Sequence, residues 1–396
     1  MDRTILHCDL NGFFASVELL SHPELKDKPV AVCGDPKNRH GIILAKNEPA
    51  KRFNIKTAET VWQAKKKCPE LVFLPPHHDL YKKYSKKVNE IYLRYTNQVE
   101  PFGIDESWLD VTGSRLLFGD GKTIADTLRS VVKNELGLTI SVGVSFNKVF
   151  AKLGSDYKKP DATTVISKEN FKAIVYPLPV SDLLYVGKSV FEKLHTIGVN
   201  TIGDLAACKE NTLYSLLGKH GKMLYDYANG NDDSPVLDFN HKSEVKSIGN
   251  GTTFSHDLTN KDEICRGVMK LCETVSARLI NAKLKANCVQ VSVKYADFKV
   301  KNRQTMLSHP IFSFRDIYSA AMQIIKSCSL DTKPIRLITI TASSLCDINS
   351  ETQLSIFDEE NKSVQKSESL AMAIDKLNKK YGKNNIHAAR TTDNSD

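Results

Sequence analysis

TILHCDLNGFFASVE, residues 4–18, and VEPFGIDESWLDVTG, residues 99–113, together decide the reading of this chain. The first is an apolar run that stops at Asp9 and gives way to Gly12, Phe13 and Phe14, so a carboxylate stands where a buried strand runs out. The second sets Asp105 beside Glu106 between short apolar stretches. Two like charges about 4 Å apart repel by roughly 4 kcal/mol at an effective dielectric near 20, so such a pair needs a cation, a shared proton or open solvent. Three carboxylates meeting at one point suit magnesium, a hard ion that takes oxygen ligands. Neighbouring strand side chains point to opposite faces, so Asp105 and Glu106 share a site only at a turn or distorted strand end. Gly103 ahead of them and the extended Trp108-Leu109-Asp110-Val111 behind them allow one. The bland alternative is an exposed hairpin whose acids are merely solvated.

A length of 396 residues exceeds what one core usually supports, so several domains are expected. Composition is ordinary for a globular protein, 41% hydrophobic and 26% charged. No apolar run reaches the roughly eighteen residues of a membrane helix, and the N-terminus enters a strand-like segment directly, so a soluble, cytoplasmic protein with no membrane partner is expected. Nine cysteines include no C-x-x-C pair, which argues against a zinc site and a disulfide framework; Cys8 reads as a buried thiol. The net charge of +9 is unevenly placed: His241 to Leu345 carries sixteen Lys and Arg against eight Asp and Glu. That excess suits a domain lying on phosphates, a solvated basic face being the alternative.

Val30-Ala31-Val32 and Gly41-Ile42-Ile43-Leu44 mark a small mixed insertion over residues 28–77. A helical stripe follows, with Tyr84, Val88, Ile91 and Tyr95 at spacings of four, three and four. A helix near Ile124 to Leu136 and a strand from Thr139 to Val144 come after the acidic hairpin. Residues 180–230 read as a helical bundle in which Gly187-Lys188-Ser189 and Gly218-Lys219-His220-Gly221 each open a helix; glycine there lets backbone amides approach a phosphate. Residues 231–242, polar and containing Pro235, read as a linker that lets the flanking domains move. Residues 244–345 give the order βαββαβ, a ferredoxin-like arrangement with helices on one face of a sheet and the other face wet. Lys294, Lys301 and Arg303 are candidates for that wet face. Near the end, Ser367 is placed to cap a helix bearing Leu370, Ile374, Leu377 and Tyr381, and the last dozen residues read as disordered.

CDLNGFFASVE, IDESWLDVTG and SVGVSFNKVFAKLGSDYKKP, the last over Ser141 to Pro160, resemble in this order and spacing the Y-family DNA polymerases, in particular the DinB type. The resemblance runs from residue 1 to about Phe357, and the segment GIILAKNEPAKRF leans toward UmuC-like relatives. It implies an α+β, multidomain right-hand polymerase. The parts would be a ferredoxin-like palm (1–19 and 78–166), small fingers (20–77), a helical thumb with a helix-hairpin-helix (167–233), a linker (234–243), a βαββαβ little finger (244–345) and a tail (346–396). The implied activity is template-directed DNA synthesis of the translesion type, of low fidelity and without proofreading.

Carried over residue by residue, the resemblance makes Asp9, Asp105 and Glu106 the catalytic carboxylates. They would hold two Mg2+ ions, with Mn2+ as the alternative, helped by the Leu10 carbonyl. Phe14 becomes the ring that excludes a ribonucleotide 2′-hydroxyl, with Phe13 packed inward beside it, and Lys51 and Lys159 the triphosphate lysines. The Thr and Tyr usual in the fingers motif stand here as Ala45 and Glu48, and Glu48 is expected to turn away from a triphosphate. Gly187 and Lys188, although their hairpin departs from the usual P-G-I-G, and Lys294, Lys301 and Arg303 are the DNA contacts. Gln353-Leu354-Ser355-Ile356-Phe357 resembles the peptide by which bacterial polymerases bind the sliding clamp: Gln353, Leu354, Ile356 and Phe357 are apolar or amide anchors on a polar segment, the alternative being a short strand packed on its own domain. The expected partners are primer-template DNA, a dNTP and that clamp, and the chain is expected to be a monomer. A nucleotide cyclase or two-metal nuclease leaves the basic βαββαβ unit and the clamp-like peptide unexplained; intact acids weigh against a non-catalytic DNA-binding subunit.

Overall fold

The computed structural model describes residues 2–35, 41–241, 244–350 and 361–381. The clamp-like peptide 353–357 and the last dozen residues, expected to be disordered, lie outside the described residues. The chain divides into two units, Met1–His241 and Lys242–Asp396.

The first unit runs β1 (Ile5–Leu10), α1 (Phe13–Ser21), β2 (Val30–Cys33), β3 (Ile43–Lys46), α2 (Glu48–Lys51), α3 (Val61–Lys67), β4 (Val72–Leu74), α4 (His78–Tyr92), β5 (Val99–Pro101), β6 (Glu106–Asp110), α5 (Arg115–Phe118), α6 (Gly121–Leu136), β7 (Ile140–Ser145), α7 (Lys148–Tyr157) and β8 (Thr163–Ile166). Five helices follow: α8 (Phe171–Val175), α9 (Lys188–Thr196), α10 (Ile202–Ala207), α11 (Glu210–Leu217) and α12 (Lys219–Ala228).

The larger sheet has the order β5-β6-β1-β7-β8, and β1 pairs antiparallel with both neighbours. Its central strand is buried throughout because both faces are covered, and it carries two polar side chains, His7 and Asp9, among apolar ones. Leu6, Cys8 and Leu10 pack in one core with Leu109, Leu128 and Val142. Ile5 packs instead with Trp108 and with Ala151 of α7. Gly143 makes the second contact possible: a Cβ there would lie 1.9 Å from the Ala151 carbonyl oxygen, so only glycine lets α7 lie this close to β7.

The expected stripe on α4 is shifted. The helix stops at Tyr92 and buries Tyr81, Val88, Ile91 and Tyr92, while Tyr84 is half-buried and Tyr95 lies beyond the helix, 4.9 Å from the Phe118 ring. The smaller sheet, β3-β2-β4, pairs β2 antiparallel with β3 and parallel with β4.

Residues 232–239 are not a free linker. Asp232 accepts a hydrogen bond from the Lys148 amide (3.2 Å), Leu237 donates to Glu100 (2.9 Å), Phe239 donates to the Asn97 carbonyl (3.2 Å), and Val236 is buried. These bonds hold residues 232–239 against the first unit.

The second unit runs β9 (Ser247–Leu258), α13 (Lys261–Ala282), β10 (Leu284–Tyr295), β11 (Val300–Ile311), α14 (Phe314–Ser327), β12 (Ile335–Asp347) and α15 (Asn361–Tyr381). The expected βαββαβ order is present, and the all-antiparallel sheet reads β11-β10-β12-β9, with the last strand between the first two. Val291 and Val293 of β10 face the helices, so Lys294 faces the open side. Lys301 and Arg303 pair with Val293 and Val291, which puts them on the helix side of an edge strand. The expectation that all three cations share the wet face is corrected by the period of two. The terminal helix begins at Asn361, so Ser367 lies inside it and is not its cap.

Candidate active site

The register of the central strands builds the site. Asp9 and Glu106 are directly opposed across β1 and β6, so their side chains emerge on one face, where like charges destabilise a sheet unless something neutralises them. That face is the one α7 covers, and α7 and the residues after it bring two ammonium groups. Lys159 Nζ lies 2.9 Å from Asp9 Oδ2 and 2.8 Å from Asp156 Oδ1; Lys152 Nζ lies 2.6 Å from Glu106 Oε2. Asp105 sits in the bend before β6, where its carbonyl accepts from the Leu10 amide (3.0 Å) and the Phe102 amide reaches across to the Glu106 carbonyl (2.9 Å). The bend lets adjacent acids avoid the strict alternation of a strand.

Burial lifts the Asp9 carboxyl to about 6, with Lys159 opposing and Glu106 assisting. Burial and then Glu106 also raise Asp105. Glu106 is held below the ordinary carboxylate range in spite of its burial. His7 and Lys152 are the groups beside it, and the hydrogen bonds decide between them. Ser155 Oγ donates to the Lys152 carbonyl (2.8 Å) and therefore accepts from His7 Nδ1 (2.7 Å), so a neutral His7 ring carries its proton on Nδ1. Burial depresses the His7 pKa, and its Nε2, 3.4 Å from Glu106 Oε2, makes no hydrogen bond. Lys152 is the partner that holds Glu106.

A cleft of about 320 Å³ opens beside these acids, lined by Asp9, Leu10, Gly12, Phe13, Phe14, Leu44, Ala45, Lys46, Lys51, Thr57, Asp105 and Lys159. Every residue expected to touch metal or nucleotide is on that wall except Glu106, which is turned onto Lys152. Among the described residues no three His, Cys, Asp or Glu side chains converge closely enough to form a ready metal cage. The ammonium groups explain this, since each occupies a carboxylate that a cation would otherwise share. The donors are carboxylate oxygens in a half-buried, acid-rich recess where burial raises the proton affinity of Asp9 and Asp105, and such a set fits a hard divalent ion.

Gly12 joins the two sheets at the cleft. Its φ is +54° and a Cβ would lie 2.9 Å from the Lys46 carbonyl oxygen, so the turn after β1 needs glycine on both counts. The turn opens α1, which buries Phe13 and leaves Phe14 half-buried on the cleft. Phe14 stacks on Tyr81 with centroids 4.1 Å apart and planes 12° apart, while the Tyr81 hydroxyl donates to buried Glu18. The ring at residue 14 therefore rests on a fixed floor.

Glu48 is bound to Lys51 at 2.5 Å, so one expected triphosphate lysine is tied to the acid beside it. Sequence reasoning passed over Lys46, which lines the cleft, donates to Thr57 (3.0 Å) and has its pKa lowered by burial and by Lys51. Its place one alternation from Ala45 on a strand was the available signal. Lys152, His7 and Tyr81 left no such trace, because their roles come from α7 and α4 crossing the sheet. Gly187 caps α9, and Lys188 opens it with its side chain exposed.

The main-chain order matches a known design. Against a solved Y-family DNA polymerase chimera the TM-score is 0.77 over 87% of this chain and 99% of that one, at 20% identity, so the fold is that of a right-hand polymerase. Residues 8–156 match the impB/mucB/samB family, residues 245–356 the C-terminal domain of that family, and residues 181–232 the thumb domain described for DNA polymerase iota. The chain belongs to the impB/mucB/samB family of Y-family polymerases, and is a DNA-directed DNA polymerase. Its relatives include the DNA polymerase IV of Acetivibrio thermocellus, 48% identical over 96% of each chain, and that of Clostridium kluyveri, 38% identical over 96% of each. DNA polymerase IV 1 of Bacillus subtilis is 38% identical over 98% of this chain and 93% of its own.

Proposed function

We propose that the chain extends a primer 3′-hydroxyl with dNTPs opposite damaged template bases, using Asp9, Asp105 and Glu106 as ligands of two Mg2+ ions. The observation that carries the proposal is the single cleft wall shared by Asp9, Asp105, Phe14, Lys51 and Lys159. When bound, the ions lower the pKa of the primer hydroxyl and neutralise charge on the triphosphate and departing pyrophosphate. The chain's own groups prepare for this. Lys159 leaves Asp9 and turns to the triphosphate, where Lys46 and Lys51 join it and Glu48 gives up its partner. Asp105 spans the site from its bend, and the Leu10 carbonyl adds an oxygen. Phe14, braced by Tyr81, fills the space a 2′-hydroxyl would need.

In this reading residues 1–19 and 78–166 are the palm, 20–77 the fingers, 167–233 the thumb and 244–345 the little finger. Gly187 and Lys188 present amides and charge to the DNA backbone. Lys294 meets DNA from the open sheet face, and Lys301 and Arg303 do so from the edge strand. The peptide 353–357 tethers the polymerase to the sliding clamp, and a DNA repair role in the cytoplasm follows from bacterial relatives and a chromosomal substrate. Primer extension on an undamaged template tests the core of this reading: the wild-type protein should extend in Mg2+, and Asp105→Ala should reduce extension by at least about a thousandfold. Extension by Asp105→Ala at the wild-type rate would remove the site assignment.

A further inference from the structure

We infer that the outward face of α3 is a stacking site for single-stranded DNA, the stretch of template yet to enter the cleft, with Trp62 as its platform; the inference rests on the polymerase reading. The helix buries Val61 and Ala64 and turns Trp62, Lys65 and Lys66 outward, three and four residues apart on one side. Trp62 is 71% exposed, whereas Trp108, the other tryptophan of the chain, is 3% exposed. An indole left in water at the surface of a folded unit is an unspent contact.

Its surroundings say what it contacts. The Lys66 ammonium lies 5.6 Å from the indole centroid, and Lys65 lies 5.7 Å from the Phe73 ring. The helix carries no acid, and the nearby Glu59 is already paired with Lys67 at 2.6 Å. An apolar protein partner would want apolar neighbours around the ring; Gln63, Lys65 and Lys66 are polar or cationic. A base stacked on an aromatic face, with its phosphates on adjacent ammonium groups, is how single strands are held without regard to sequence. The ring is also presented firmly, because Thr60 and Gln63 close a capping box over the first turn. Position supports the same occupant. Thr57 lines the cleft, and the five residues from it to Trp62 span at most about 18 Å, within reach of a few nucleotides of strand leaving the templating position.

The full-length protein tests this through its own fluorescence, since Trp62 is the tryptophan open to solvent. Oligo(dT) should quench the emission saturably, and Trp62→Phe should abolish the quench while keeping a stacking ring. The affinity ratio between a primer-template carrying an overhang of about ten nucleotides and the blunt duplex should fall roughly tenfold in Trp62→Ala and stay near the wild-type value in Trp62→Phe. No quench, or an unchanged ratio in Trp62→Ala, overturns the inference, and is also the outcome if a protein partner covers this face. Wild-type extension on a single-nucleotide overhang is read in parallel. If that fails, the polymerase reading falls and takes this one with it; if it succeeds while Trp62 proves inert, only this one falls.

Discussion

Replacing Asp9 by Asn should stabilise the metal-free protein while ending its activity. Burial, opposed by Lys159 and reinforced by Glu106, lifts the Asp9 carboxyl from 3.8 to about 6. A carboxyl whose pKa is higher in the folded than in the unfolded chain binds its proton more tightly when folded. The resulting penalty is therefore absent below about pH 4, grows with rising pH, and is complete above about pH 6. A difference of about two units corresponds to roughly 3 kcal/mol. The neutral amide in Asp9→Asn escapes that penalty, and Lys159 keeps Asp156 at 2.8 Å as its counterion. Thermal unfolding in chelator should show Asp9→Asn more stable by up to about 3 kcal/mol at pH 7, several degrees in Tm, with the gap closing toward pH 4. Mg2+ should raise the wild-type Tm and leave the variant unmoved, because the ion repays the same buried charge. An Asp9→Asn protein less stable than wild type at pH 7 in chelator, or a gap that ignores pH, would refute the argument that this carboxylate is kept for binding cations.

Phe14→Ala should open the floor of the cleft above Tyr81 and raise ribonucleotide incorporation relative to deoxynucleotide by at least about tenfold, measured as the ratio of kcat/KM values. An unchanged ratio would remove the gate assignment. Deleting residues 353–357 should abolish stimulation by the sliding clamp while unassisted extension continues. Gly143→Ala should lower stability by about 3 kcal/mol in chemical denaturation, since its methyl meets the rigid Ala151 carbonyl and Ser155 amide rather than a side chain able to turn aside. A loss below about 0.5 kcal/mol would show that α7 can slide.

Periodicity and punctuation made much of the architecture legible. In the second unit the βαββαβ order was readable because Val289, Val291 and Val293 alternate along β10 and an apolar stripe runs from Ile264 to Leu279 along α13. The pairing of Asp9 with Glu106 was not legible as a register, because strand partners are chosen by contacts far apart in the chain. For the same reason Lys301 and Arg303 were assigned to the wrong side of their sheet: alternation along β11 gives two faces and does not say which one the helices cover. The docked segment 232–239 misled because Asp232 and Ser234 look like linker residues until their partners Lys148 and Arg3 are known. Within the site, the acids and aromatic rings were expected through the resemblance of their segments to the family, since their type and place alone left a solvated hairpin and an ordinary core open. Their counterions were not, since a lysine on a helix carries no mark of the strand it will cross.

The junction at Gly12 has an evolutionary corollary. Where the turn after β1 meets β3, a main-chain carbonyl occupies the volume a methyl would fill, so the wall bearing Lys46 hangs from that turn through a backbone-to-backbone contact. Side chains on the outer surface of that wall can be exchanged over generations without displacing the hinge from which it hangs. Exchanges at positions such as 45 and 48 can then alter how the cleft grips a nucleotide while that backbone contact stays in place.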